Sequence, residues 1–492
     1  MKTEIAVVGA GPVGLMLASE LRLCGAAVTL YDRLPTPPTE SRALGFNRRA
    51  AEILDQRGLL TRLGTVRWGP MGHFGGVRFD LDMLEQDHSG VLGLPQPRLE
   101  AVLGERLSEL GVPLLRGYDL VAMRETTDGV DLDFDGPDGR RTDQADYVVG
   151  CDGAGSTVRS LAHIPTRTWP ASRGSYSAEV ADVHIRPRPI GERLPGGNMV
   201  LCTPIGPDTY RIVIHDSGLP ANVSTPTFAQ VTQAWERLTG EDIQGGRPLW
   251  LWACGNGAAL ADRYEHGRIL LAGDAAHEIP PLAAWALSAG IQDAANLGWK
   301  LAAVVGGRAP HGLLASYERE RRPVGATLVR NAQAATALYL GAAMDPIRSV
   351  FGELMSDADT AESVAGHVSG LGIRYDLGPG DDPLLGRRLA PHLEVACADG
   401  RSVRVGELLH QGKGLLIGAQ MSATTRPWAD RVQAVEGTFD GFPGSVLVRP
   451  DGYVAWTSPG SALDCADALC RWFGAPVPVA ECAAQPRPAV AG

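Results

Sequence analysis

Three short, mainly apolar runs, Ile5–Val8, Ala27–Tyr31 and Ile269–Leu271, have the pattern of strands buried on both faces of a parallel sheet. Between the first two, Leu15, Leu17, Ala18 and Leu21 fall at positions that suit a helix packed on a core. The third run ends at Gly273-Asp274. A loop containing Pro280-Pro281 follows, and then an Ala-rich segment that predicts a helix from about Leu287. Elsewhere the pattern alternates. Segments from Trp68 to Pro97, and then Met199–Cys202, Tyr210–His215 and Leu249–Ala253, predict one antiparallel sheet begun near residue 70 and completed after residue 165. Trp250 and Trp252 share a strand face there, and a core pair is the favoured reading over a pocket wall. Helices are expected from about Asn47 to Leu60, from Arg98 to Leu110 and from Ala289 to about Phe351, with Tyr317–Arg322 as a charged, solvated turn. Strands are expected near Val112–Leu115, Gly129–Phe134 and Tyr147–Val149. Gly378–Pro383 reads as a linker. Beyond it, Val403–Gly418, Val432–Ala434 and a hairpin over Val446–Trp456 predict a small α/β module, before an Ala- and Pro-rich tail expected to be disordered.

Glycines and acids punctuate the strand ends. Gly9-Ala10-Gly11-Pro12-Val13-Gly14 follows the first run directly and opens the helix. Gly9 permits a tight turn, Gly11 lets the backbone approach a pyrophosphate, and Gly14 lets helix and strand pack closely, with the helix N-terminus facing the phosphates. Asp32 closes the second run about 20 residues further on, where a carboxylate accepts hydrogen bonds from a ribose. Together these features point to dinucleotide binding. Arg33 beside Asp32, and Arg42 in the loop beyond it, are further candidates; as surface arginines they also fit a merely solvated role. Asp152-Gly153 is a second acid at a strand end, read either as a ligand contact or as an N-cap with a glycine turn. Gly273-Asp274 is the third. His277, a lone histidine near that strand end, fits a structural hydrogen bond better than a catalytic role, and no catalytic acid or base is singled out.

The 492 residues, 44% of them hydrophobic, are enough for two to four domains. A net charge of −11 argues against a nucleic-acid or anionic-membrane partner and for a small molecule. Eight cysteines contain no CxxC pair, so neither a metal site nor a disulfide framework is expected. Cys465 and Cys470 are too far apart for a redox dithiol, which leaves the last module structural. With a strand under way by Ile5 and no apolar run of membrane length, a cytoplasmic protein is expected.

The order and spacing of the three blocks resemble the class A flavoprotein monooxygenases, the para-hydroxybenzoate hydroxylase fold, and most of all its aromatic polyketide hydroxylases of antibiotic pathways. The resemblance extends through Ser41–Phe46, His73–Gly76, Gln292–Ala294, Asn296-Leu297 and Trp299–Leu301. It implies an α/β fold. A discontinuous Rossmann-like FAD-binding domain (1–70, 98–164 and 263–377) would carry an inserted antiparallel-sheet substrate domain (71–97 and 165–262). A thioredoxin-like domain (384–475) and a disordered tail (476–492) would follow. Gly9, Gly11, Gly14 and Asp32 would hold the ADP half of FAD. Arg42 and Gln96 would lie along its phosphate and ribityl path, and Asp274 would bind the ribityl or pyrophosphate region. Asp152-Gly153 would serve both FAD and the donor NADPH. The implied reaction is hydroxylation of a polycyclic aromatic polyketide, with the protein orienting the rings and excluding water.

One stretch departs from the family pattern, which after the prolines has Gly-Gly-Gln-Gly, a hydrophobic residue and Asn. Here Pro281 and Leu282 are followed by Ala283, Ala284, Trp285, Ala286, Leu287 and Ser288. Alanine at a positive-φ position is disfavoured by roughly 1 kcal/mol. Trp285 either takes the space of a flavin ring or packs into the core with the loop rerouted. Two functions therefore stand: the hydroxylase, or a homologue of the same fold with an altered flavin-ring site that no longer oxygenates, acting as a cofactor-independent catalyst or a ligand-binding accessory protein.

Overall fold

The computed structural model describes the chain apart from residues 1, 39–42, 85–89, 281–283, 379, 420, 440–441, 443, 462 and 478–492. Strand β1 (Lys2–Val8) lies inside a sheet, with Ile5, Ala6 and Val7 fully buried. It leads into helix α1 (Pro12–Leu23) and strand β2 (Val28–Asp32), which pairs in parallel with β1 from Ile5↔Val28 to Val8↔Tyr31. On the other side of β1 runs β3 (Gly139–Gly150), also parallel, with Val8 opposite Gly150. β3 is much longer than the strand predicted at Tyr147–Val149, because its first half pairs antiparallel with Gly129–Gly136. A short helix α2 (Thr157–Leu161) follows it.

The chain then builds a five-stranded antiparallel sheet. Its members are β4 (Gly174–Ala181), Arg188–Leu194, β5 (Asn198–Gly206), β6 (Thr209–His215) and β7 (Arg247–Gly255), in the spatial order Arg188–Leu194, β5, β6, β4, β7. One face is covered by the helix Phe228–Thr239, whose Val231, Ala234 and Trp235 pack with Tyr176, Val180 and Ile214. The sequence reading missed this helix, although Thr227 and Gln230 form a capping box at its start. The strands near residue 70 do not join this sheet, contrary to the prediction. Met71–Phe74 pairs only with Val77–Asp80, and Arg67–Gly69 pairs with Val91–Gly93 in a small separate sheet. The hairpin between them is held elsewhere: its Gly75 and Gly76 sit so close to Leu338 and Tyr339 that a Cβ on either would overlap those side chains.

β8 (Ile269–Leu271) returns the chain to the parallel sheet beside β3, with Leu271 opposite Gly150. Helix α3 (Trp285–Val305) begins two residues before the predicted start and packs on α1, where Gly290 meets Val13 and Gly298 meets Glu20. Helix α4 (Ala315–Leu340) overturns the reading of Tyr317–Arg322 as a solvated turn. That segment is helical, and Tyr317, Glu320 and Arg321 are buried in it. Buried charges need partners, and both charged groups find them in distant parts of the chain, Arg321 on Asp293 and Glu320 on Arg449.

The last module has a four-stranded sheet in the order Val432–Val435, Gly414–Ile417, Ser445–Val448, Val454–Ser458, and ends in helix α5 (Cys465–Phe473). Its hairpin turn is set into the helices of the first unit. Arg449 and Asp451 are buried there, Arg49 donates to the Asp451 carbonyl oxygen (2.7 Å), and Arg57 bridges Glu20 (2.6 Å) and the Pro450 carbonyl oxygen (2.8 Å). The predicted tail falls almost wholly outside the described residues. No described helix is long and apolar enough to cross a membrane.

Candidate site at the carboxyl edge of the parallel sheet

The parallel register brings the carboxyl ends of β1, β2, β3 and β8 to one edge, and with them the three acids singled out in the sequence. At the centre is the glycine turn. Gly9 has φ +103°, and a Cβ on Gly14 would overlap the Gly9 carbonyl oxygen, so both positions exclude a side chain. Gly11 differs: an added Cβ there would meet no atom within 4 Å, and the same holds at Gly153 and Gly155. Open space thus lies beside both glycine turns. α1 begins here without a side-chain cap and without an acid in its first turn, which leaves its N–H groups and positive dipole end to an anion. These features fit the pyrophosphate of a dinucleotide.

Asp32 faces this turn. Its Oδ2 accepts from the Ala10 N–H (2.5 Å) and its Oδ1 from the Leu34 N–H (2.8 Å). Gln96, in the first turn of the helix Gln96–Glu109, donates through Nε2 to Glu100 (2.7 Å), whose carboxyl is pushed up by burial. Arg33 is exposed. Arg42 lies outside the described residues.

Asp152 is engaged in local structure. It accepts from Ser156 Oγ (2.5 Å) and from the Val158 N–H (3.0 Å) at the start of α2, and burial pushes its carboxyl up. The N-cap of α2 is Ser156, whose Oγ accepts from the Arg159 N–H (3.0 Å), so Asp152 is not the cap itself but braces it. Asp274 sits half-buried in the 3₁₀ turn Gly273–Ala275, near Glu278, whose carboxyl is raised by burial and by the charge of Asp274. Arg159 ties the two acid turns together, donating to the carbonyl oxygens of Ala154 (2.6 Å) and Ala275 (2.8 Å).

Behind Asp274 lies Asp293, fully buried in α3. Its Oδ2 accepts from the Gly273 N–H (3.0 Å) and from His277 Nε2 (2.7 Å), and its Oδ1 from Arg321 Nε (2.6 Å). Burial pushes the Asp293 carboxyl up, but Arg321 and His277 outweigh that and hold it below the usual range. His277 thus has the structural hydrogen bond expected of it. Asp293, Arg321 and Arg159 were not identified from sequence as residues that shape this edge. The one available signal was an acid inside an otherwise Ala-rich, apolar helix.

Of the departing loop, Pro281 and Ala283 lie outside the described residues. Ala284 is left-handed (φ 58°) and precedes the first residue of α3. Trp285 is 3% exposed and folded into the main core, its ring 6.1 Å from that of Phe74. Ala286 and Leu287 are half-buried against that core. Ser288 donates to the Ala284 carbonyl oxygen (2.7 Å) and accepts from the Asn47 N–H (2.8 Å), so it clasps the loop to the segment after residue 42. Replacing Ala284 with glycine is expected to relieve the left-handed strain. After the greater freedom of glycine in the unfolded chain is subtracted, the net gain is about 0.5 kcal/mol, read as a higher urea midpoint at unchanged slope.

The antiparallel sheet has a second face, turned away from its own core. Directly paired residues set Trp250, Glu179, Arg211 and Thr203 in one row and Trp252, Ser177, Val213 and Leu201 in the next. The two indoles stack at 5.9 Å and 18°, and the Arg211 guanidinium lies 4.3 Å from the Trp250 ring centre while pairing with Glu179. Trp250 is buried and Trp252 half-buried, as the favoured sequence reading of a packed pair expects, although neither belongs to the cluster beneath the helix Phe228–Thr239. Met199 and Leu201 close part of this face against Tyr339 and Leu340 of α4. In a third row His215 is hydrogen-bonded to Ser175, and burial lowers it to about 4.

No group of three or more metal-ligating side chains is found among the described residues. A family model described as an FAD binding domain matches residues 2–332, and one described as an aromatic-ring hydroxylase C-terminal domain matches residues 382–476. The chain is 38% identical over 491 residues to a rifampicin monooxygenase of Rhodococcus hoagii, covering 96% of this chain and 98% of the relative. It is 37% identical over 515 residues to the 12-dehydrotetracycline 5-monooxygenase/anhydrotetracycline 6-monooxygenase of Streptomyces rimosus subsp. rimosus, covering 97% and 100%. Among solved structures, CabE, an aromatic hydroxylase from angucycline biosynthesis, matches with a TM-score of 0.91 and 44% identity over 97% of this chain and 100% of that one.

Proposed function

Since this chain belongs to the FAD-binding aromatic-ring hydroxylases, the class A flavin-dependent monooxygenases, we propose that it hydroxylates a polycyclic aromatic polyketide in antibiotic biosynthesis, with FAD as resident cofactor and NADPH as hydride donor. The observation that carries this reading is the carboxyl edge itself. An uncapped helix start, open space at Gly11, and Asp32 and Asp274 at strand ends on either side of β1 and β3 along one sheet edge support a site for an elongated dinucleotide.

FAD, when bound, supplies the activation of O₂ and the transfer of oxygen to the ring. The chain's share is to bind and orient. The Gly9–Gly14 turn and the α1 N-terminus would stabilise the pyrophosphate, and Asp32 would take the ribose hydroxyls. By the family resemblance Gln96, with Arg33 and Arg42, would serve the path to the ribityl chain, and Asp274 would hold the ribityl or pyrophosphate region; Arg42 falls outside the described residues. The N-terminus of α3, 21 residues long and without a side-chain cap, directs its positive end toward negative charge held at the loop. Trp252, half-buried over Trp250 and the buried Arg211 guanidinium, would face a fused aromatic substrate. The placement of Trp285 in the core supports oxygenation over the accessory-protein reading, because its indole is committed to Phe74 and the packing around it.

The test is NADPH oxidation by FAD-loaded protein in the presence of polycyclic phenols, with labelled O₂. Phenol-dependent NADPH consumption and one labelled oxygen atom in the product are expected. Consumption that yields only hydrogen peroxide across a broad phenol panel would count against the proposal.

A further inference from the structure

The strand Leu114–Arg116 lies on the outer side of β2 and pairs with it in parallel, with Arg116 directly opposite Asp32. It is the next strand end along the edge that carries the glycine turn after β1 and the carboxylate at the end of β2. The Arg116 side chain is 17% exposed, and its guanidinium makes no hydrogen bond among the described residues. Nη1 is fully enclosed and faces Asp32 Oδ1 at 3.8 Å. Glu100, one turn along the helix that Gln96 opens, belongs to the same cluster. Burial pushes its carboxyl up, Gln96 and Arg116 pull it down, and Asp32 raises it again.

A buried charged donor without an acceptor is costly, and few persist in folded proteins without a reason. Asp32 has room for the complementary contact. Its Oδ1 accepts only from the Leu34 N–H (2.8 Å) and so keeps a lone pair. The 3.8 Å gap between Nη1 and Oδ1 is too long for a direct hydrogen bond. One oxygen at about 2.8 Å from both atoms closes it, accepting from Arg116 and donating to Asp32. That oxygen must donate and accept at once, which a hydroxyl or a water does. Position on the sheet edge favours the hydroxyl. With a pyrophosphate at the glycine turn after β1 and a ribose at the end of β2, the ribose hydroxyls fall where Arg116 and Asp32 face each other.

We propose that Arg116 is a ribose-binding residue, whose Nη1 donates to the same hydroxyl oxygen that donates to Asp32 Oδ1. The inference rests on the dinucleotide reading above, and it adds a cation that the glycine-rich fingerprint does not predict. The pair recognises one hydroxyl from both sides, the guanidinium through its lone pair and the carboxylate through its hydrogen. A sugar that lacks this hydroxyl leaves two charged groups unsatisfied, so the site selects ribose against a deoxyribose.

The experiment is calorimetric titration of the flavin-free, full-length protein with ADP, 2′-deoxy-ADP and 3′-deoxy-ADP, for wild type and Arg116→Met, with the thermal midpoint of each recorded. Wild type is expected to bind ADP about tenfold or more tightly than one of the two deoxy analogues. In Arg116→Met, ADP binding is expected to weaken by about tenfold and binding of that analogue by about twofold or less, so the preference for ADP falls by about fivefold. Arg116→Gln, shorter and neutral, is expected to behave in the same way, and it decides if the methionine variant does not fold. A role confined to balancing the charges of Asp32 and Glu100 would weaken all three nucleotides alike, and that result overturns the proposal. So does a wild type that binds all three equally, which would assign the gap to water. A wild type that binds no ADP ends the dinucleotide reading and the proposal with it. ADP binding whose preference is unchanged in the variants ends the proposal alone.

Discussion

Asp293→Ala is expected to cost about 3–5 kcal/mol of folding free energy, together with a loss of flavin uptake in whatever protein remains folded. The carboxylate is fully buried, and it is the shared acceptor for Arg321, His277 and the Gly273 N–H. Its removal strands the Arg321 guanidinium in the core and frees the turn that carries Asp274. Urea denaturation reads the first effect and flavin absorbance per protein reads the second. Arg321→Met combined with Asp293→Ala is expected to recover part of the stability, since no buried charge is then left without a partner. The pH dependence follows from the lowered folded pKa. A carboxyl depressed on folding contributes its full stabilisation above its ordinary value of 3.8 and loses it only as pH falls through the lower folded value. This network therefore holds across the neutral and mildly acidic range. Disruption well above pH 4 would contradict the assignment.

Arg449→Met is expected to have a comparable effect, about 3–5 kcal/mol, by a different route. Arg449 belongs to the last module, yet it makes two hydrogen bonds to Glu320 of α4 (2.8 and 2.7 Å) and pairs with Asp451 (2.5 Å). Lys300 and Asn296 of α3 complete the cluster around Glu320. Burial pushes the Glu320 carboxyl up, but Arg449 and Lys300 hold it far below the usual range, so it stays ionised and needs both cations. The guanidinium also lies 4.8 Å from the Trp472 ring centre. Methionine fills the space and leaves two carboxylates with one cation fewer. The expected result is a lower thermal midpoint and exposure of Trp472, seen as a red-shifted tryptophan emission. A midpoint within a degree or two of wild type would mean that the last module is merely appended to the first unit.

How far the sequence could be read depended on the range over which partners lie. The glycine turn, Asp32, and the acids after β3 and β8 were legible because each depends on its neighbours in sequence, a strand before and a helix after. The two roles of Asp152 were also legible as alternatives, and Ser156 and Val158, a few residues on, take its carboxylate. Tyr317–Arg322 was misread because a run of charge looks solvated until its partners are known, and those partners are Asp293, Arg449 and Lys300. The strands near residue 70 had the right period for the large sheet, but period alone does not select a pairing partner. Trp285 was rightly marked as the main departure. Its burial beside Phe74 depends on a hairpin about 210 residues earlier, which no local pattern reports.

The central claim is that this edge still holds a flavin despite the alanines and the tryptophan at 283–286. The most direct measurement is the visible absorbance spectrum of the purified protein after incubation with FAD and removal of the excess. The expected result is a yellow protein with close to one flavin per chain, bleached by NADPH under anaerobic conditions and restored by air. A folded protein that stays colourless after reconstitution would contradict it.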